Sequence, residues 1–110
     1  MPLKAERTNT ATAMLVLPAK LTSRQATASL ALLLKDLRAD SGGAVVVDAQ
    51  ALAVFDTSAL AVLLECRREA LSARKTFSVL GLAPALASMA ALYGVDGLLA
   101  VTAEVESVST

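Results

Sequence analysis

The chain has no histidine and a single cysteine among its 110 residues. Without histidine the commonest general base is gone, and with it Ser-His triads and most zinc sites. One cysteine, Cys66, excludes an internal disulfide and thiolate metal clusters, and fits a reducing compartment. Aromatic residues are 3% of the chain, so small and branched aliphatics must build the core. Neither charge sign dominates, since the formal net charge is zero. A basic stripe of the kind that tracks nucleic acid is absent. No apolar run approaches the roughly 20 residues that span a bilayer. The segment Met14 to Leu17 stops at Pro18, which is too early for a secretory leader. The expectation is a cytoplasmic protein with no cofactor, no metal and no nucleic-acid partner. Enzymatic turnover is not expected. An enzyme built from what remains would have to rely on carboxylates, and the pair to consider is Asp48 with Asp56.

What is abundant is aliphatic residues, at 55% apolar overall. They are more than a small free monomer needs, so some apolar surface is expected to remain for a partner. At this length the chain forms one domain with a real core. Residues 1–11 are polar and read as a loose N-terminal arm, residues 12–102 as the domain, and residues 103–110 as a C-terminal tail.

The informative stretch runs from Ala44 to Leu64. Ala44 to Val47 is a continuous apolar, β-branched run, the pattern of a strand covered on both faces, and Asp48 ends it. Asp56, Thr57 and Ser58 then open a helix, because short side-chain oxygens accept from the free N–H groups of a first turn. Such a trio is routinely only a cap. The same physics also attracts an anion, and a hydroxyl here can carry a phosphate of about −1.5 to −2 charge. Asp56 would repel that phosphate, and Asp48 would add to an acidic rim.

Around this centre the chain alternates. Ala13 to Leu17 reads as a strand. Thr22 and Gln25 have capping-box spacing, and Ala26, Leu30, Leu33, Leu34 and Leu37 give the helix behind them one apolar stripe. Asp40-Ser41-Gly42-Gly43 turns the chain. In the helix after Asp56, Leu60, Leu63, Leu64 and Leu71 share a face, widened by Ala59, Cys66 and Ala70. Thr76 to Leu80 reads as a strand. Pro84 suits the first turn of a third helix with Leu86, Met89, Ala90 and Tyr93 on its face, and Gly94 suits its end. Leu98 to Val101 reads as a last short strand. Alternation of this kind predicts an α/β domain with a mainly parallel sheet.

The stretches Val45-Val46-Val47-Asp48 and Val54-Phe55-Asp56-Thr57-Ser58, continuing through Leu64, resemble the signature of STAS domains, the family of bacterial anti-sigma-factor antagonists and sulfate-transporter tails. Phe77 to Gly81 and Leu86 to Gly94 are similar to the family's next strand and last long helix. The resemblance implies a small mixed, mainly parallel sheet with helices packed chiefly on one side, and a protein that works by binding. Two branches fit. One is the small STAS subunit of a bacterial phospholipid-transporting ABC system that maintains outer-membrane lipid asymmetry. It is matched by Asp56-Thr57 and by Leu92-Tyr93, and it implies an ABC transporter ATPase as partner and an indirect, peripheral position at the inner membrane. The other is the anti-sigma-factor antagonist, in which the residue at the place of Ser58 is phosphorylated by a partner kinase. Ala59 stands where that signature has glycine, and Lys20 and Thr22 stand where antagonists often carry acidic residues, which favours the transport branch. The resemblance makes Asp56, Thr57, Ser58 and Tyr93 partner-binding, and Ser58 and Thr57 the candidates for phosphorylation.

Overall fold

The apolar run that Pro18 closes forms strand β1 (Thr12–Val16), and a two-residue strand, β2 (Lys20–Leu21), follows it. The computed structural model describes residues 12–99 and the strand at 101–102. The expected arm at residues 1–11 and tail at 103–110 lie outside the described residues. Helix α1 (Ser23–Ala39) opens on the capping box read from the sequence. The Thr22 N–H donates to Gln25 Oε1 at 2.9 Å, and the Thr22 hydroxyl oxygen accepts from the Arg24 N–H at 3.3 Å. Two of the donors that a helix start leaves unpaired are satisfied in this way.

Strand β3 (Ala44–Asp48), the two-residue β4 (Val54–Phe55) and helix α2 (Thr57–Ser72) come next. Strand β5 (Thr76–Leu80), helix α3 (Pro84–Leu92), a single turn of helix α4 (Asp96–Leu99) and strand β6 (Val101–Thr102) complete the order. Pro84 sits at the start of α3, where its missing N–H costs nothing. Gly94 follows α3 with a φ of 75°, a left-handed conformation that glycine adopts without steric penalty.

The four-stranded sheet has the order β1-β3-β5-β6, and every ladder among the described residues is parallel. Val45 pairs with Ala13 on one side and Phe77 on the other, so β3 is an interior strand. Ala13, Leu15, Val45, Val47, Phe77 and Val79 are buried on one face, and α1 and α2 pack over it and against each other. Leu33 and Leu37 of α1 and Ala59, Leu60, Leu63, Cys66 and Ala70 of α2 fill that layer. Leu63 is fully buried, and covering a side chain of this size stabilises by about 1.5–3 kcal/mol.

Three sequence expectations are corrected. Ala44 to Val47 is not covered equally on both faces: Val45 and Val47 are buried, while Ala44 and Val46 are only half-buried. Met14 and Val16, on the same side as Val46, are 49% and 59% exposed. The run reads as continuous because half-covered positions are also filled by valine. Leu71 is exposed rather than part of the α2 core face, with Val62 buried instead, because that face turns past it in the last turn. Finally, Leu98 and Leu99 belong to α4, and the last strand is confined to Val101–Thr102. Asp96 favours the helix there, since a carboxylate in a first turn faces the positive end of the helix dipole.

Candidate functional site

β1, β3 and β5 run in register, and their carboxyl ends fall at Val16, Asp48 and Leu80. Leu17 and Ala49 extend the ladders by donating to the carbonyls of Asp48 and Leu80 at 2.9 and 2.8 Å. Beyond this edge the chain returns through the small parallel pairing of Lys20 with Val54 and Leu21 with Phe55. That pairing delivers α1 and α2 side by side, each starting immediately after its short strand.

Asp56 caps α2 and reaches further than a cap. Its Oδ1 accepts from the Ser58 N–H at 2.8 Å, and its Oδ2 accepts from the Ser23 N–H, the first residue of α1, at 3.1 Å. One carboxylate therefore joins the starts of two helices. The Ser58 N–H, then the Ser23 N–H, with a smaller part from the Ser58 hydroxyl, hold this carboxyl below its ordinary range. Donation to the charged form favours that form. A carboxylate so held is a poor proton donor. Asp48 is engaged elsewhere: its Oδ1 accepts from the Gln50 N–H at 2.9 Å in a turn after β3.

Thr57 and Ser58 occupy the first turn of α2 but open on different sides. Thr57 is exposed and lines an apolar groove of about 300 Å³ with Leu60, Ala61, Leu64, Tyr93 and Val95. Tyr93, at the end of α3, is 59% exposed, and Leu92 beside it is 81% exposed. Ser58 is half-buried and faces the other flank of α2, a groove of about 160 Å³ shared with Ala26, Thr27 and Leu30 of α1. The structure thus brings Thr57 and Tyr93 together, sets Ser58 apart from them, and gives Asp56 a bridging position. The bridge to Ser23 has no sequence signal, because it joins residues 33 positions apart.

Cys66 is fully buried, and burial, helped by the Glu65 carboxylate, pushes its thiol up to about 12. It is a core residue, not a nucleophile. Among the described residues no cluster of His, Cys, Asp or Glu is placed to hold a metal. No helix among them is long and apolar enough to cross a membrane.

The solved structures similar to this chain share its fold. The anti-sigma factor antagonist SpoIIAA in its unphosphorylated form is 15% identical, with a TM-score of 0.69 over 89% of this chain and 85% of that one. The phosphorylated form of SpoIIAA, described as a Bacillus cell fate determinant, has a TM-score of 0.64 at 15% identity, over 89% and 88% of the two chains. An anti-sigma-factor antagonist (STAS) domain protein from Planctomyces limnophilus has a TM-score of 0.72 at 11% identity, over 86% and 85%. No curated protein matches the sequence significantly. The family model described as "Mlab, STAS domain" matches residues 5–100, nearly the whole chain. The chain belongs to this STAS-domain family.

Proposed function

We propose that this protein is a non-catalytic subunit that binds the cytoplasmic ATPase of a phospholipid-transporting ABC complex and stabilises or activates it. The partner sits over the groove between α2 and α3, and the protein is held at the inner membrane only through that partner. The observation that carries this reading is the pairing of an exposed Thr57 with an exposed Tyr93 across one apolar groove. A free hydroxyl beside exposed apolar surface suits a protein contact, and the description of the family as Mlab supports the transport branch.

Co-purification with the ATPase subunit, alongside a thermal melt, tests it. Thr57→Glu puts a charge that docking would desolvate next to Asp56. An acid is tolerated in a first helical turn, so the fold survives. Binding is lost and the melt is unchanged. If Thr57→Glu co-purifies like the wild type, this assignment fails.

A second reading, an anti-sigma-factor antagonist switched by phosphorylation of Ser58, draws support from the similarity of the fold to SpoIIAA, of which a phosphorylated form is known. Ser58 lies in the first turn of α2, where a phosphate meets the positive end of a helix. Mass spectrometry of protein from its native host distinguishes the two: the transport reading expects Ser58 unmodified, the antagonist reading a phosphoserine.

A further inference from the structure

A surface helix ordinarily carries one apolar stripe, turned toward its own core. Helix α2 carries two. Ala59, Leu63, Cys66 and Ala70 make the first and are fully buried. The second is the row Thr57, Ala61, Leu64, Arg68 and Leu71, spaced alternately by four and three residues. Leu64 is half-buried and the other four are exposed. Thr57, Ala61 and Leu64 line the groove toward Tyr93. Leu71 stands two turns beyond Leu64 in the same row, and it is 46% exposed. The exposed strip is therefore longer than the groove, since Thr57 to Leu71 covers about 21 Å of helix.

Alternate steps of four and three average 3.5 residues, the repeat by which one helix seats along another. The α2 backbone offers no edge to an added strand, because its N–H and C=O groups are bonded within the helix. An occupant must bring its own backbone bonds already made, as a helix does. Arg68 interrupts the apolar row and sets a charge requirement. Its ion-pair partner is Glu65, with Nη1 3.6 Å from Oε1, and its side chain is 80% exposed. That separation is wider than a hydrogen bond, so the guanidinium keeps its donors for an outside group. Covered by a partner with no acid opposite, it would be desolvated and unpaired, and its fork of donors matches a carboxylate.

We infer that the ATPase segment docked here is a single amphipathic helix laid along α2, its apolar stripe against Thr57, Leu64 and Leu71 and a carboxylate facing Arg68. This rests on the docking reading above and adds the form and charge of the partner segment, with Arg68 and Leu71 as further contact residues.

Full-length variants are titrated against the purified ATPase subunit at low and high salt, with Thr57→Glu as control and thermal melts throughout. Leu71→Lys puts a cation in the last turn of α2, outside the core, where the helix dipole favours it, so it melts like the wild type. It weakens binding by roughly tenfold or more, as loss of a buried leucine contact does. Arg68→Gln weakens binding by about threefold and Arg68→Glu by about tenfold, and the gap between them narrows as salt screens the charges. Photo-crosslinking residues at positions 61 and 71, in separate variants, attach to one ATPase segment at points about ten residues apart, as two helices lying side by side require. If Thr57→Glu abolishes binding while Leu71→Lys or Arg68→Glu binds at wild-type strength, the inference is overturned and the docking reading stands. The same holds if Arg68→Glu binds no worse than Arg68→Gln, or if the two crosslinks fall in different segments. If Thr57→Glu still binds, the docking reading itself falls.

Discussion

Thr57 and Ser58 are neighbours in the chain, yet their side chains line different grooves, Thr57 the one toward Tyr93 and Ser58 the one toward Leu30. Successive helix residues point about 100° apart, and α2 is flanked on both sides, by α1 and by α3. The two hydroxyls that the sequence presents as a pair are thus chemically alike and structurally separate.

Their variants separate accordingly. Thr57→Ala weakens partner binding by about 0.5–1.5 kcal/mol, the worth of one hydrogen bond. Ser58→Ala leaves binding at the Tyr93 groove close to the wild type. Titration calorimetry of both variants against the ATPase subunit checks this, and equal losses would show that the partner grips both flanks of α2.

The pH dependence of stability follows from Asp56. Its carboxyl is lowered in the folded protein by the N–H groups of Ser58 and Ser23. A group with a depressed folded pKa contributes stability that is fully present above its unfolded value, near 4, and is lost as pH falls through the folded value. Glu69, lowered by its hydrogen bond from Arg38, acts in the same direction. Thermal melts between pH 6 and pH 2 should therefore fall in the acid limb, and Asp56→Asn should flatten that limb while hardly changing the slope above pH 5. An unchanged acid limb in Asp56→Asn would place the sensitivity elsewhere.

Lys75 supports the fold from the end of the sheet opposite the site. It is 7% exposed, and its Nζ donates to the carbonyls of Asp40 and Gly42 at 2.6 and 2.7 Å, closing the turn between α1 and β3. Lys75→Met keeps the stem and removes the donor, leaving the inner carbonyl of Gly42 unpaired. The expected loss is roughly 1–3 kcal/mol, read from denaturant unfolding, with ATPase binding intact in the folded fraction.

Cys66 should be silent to thiol reagents. With its pKa raised to about 12 and its side chain fully buried, almost no thiolate is present at pH 8. Labelling by a disulfide reagent should follow unfolding, appearing with denaturant at the same midpoint as the loss of helix signal. Rapid labelling of the native protein would contradict this burial.

Much of the fold was legible because it is written locally. Thr22 and Gln25 formed their capping box, Pro84 opened α3, and the stripe at Leu33 and Leu37 faced the core, each decided by residues within a turn of one another. Asp56 was equally legible as a cap. Its second bond, to Ser23, was not, and neither was the burial of Lys75, whose partners Asp40 and Gly42 lie 35 and 33 positions away in the chain. Both depend on chain segments brought together by the sheet. The two-residue pairing of Lys20–Leu21 with Val54–Phe55 is too short to carry periodicity, so the device that places the two helix starts together left no pattern. That Tyr93 faces Thr57 follows from the packing of α3 beside α2.

The central claim is that the partner covers the groove between Thr57 and Tyr93. The most direct measurement places a photo-crosslinking residue at Tyr93 and, in a separate variant, at Val16, which is equally exposed (59% each) on the uncovered side of β1. In cells that express the transport complex, the residue at position 93 should crosslink to the ATPase subunit and the one at position 16 should not. Crosslinks to the ATPase from position 16 with none from position 93 would contradict the account.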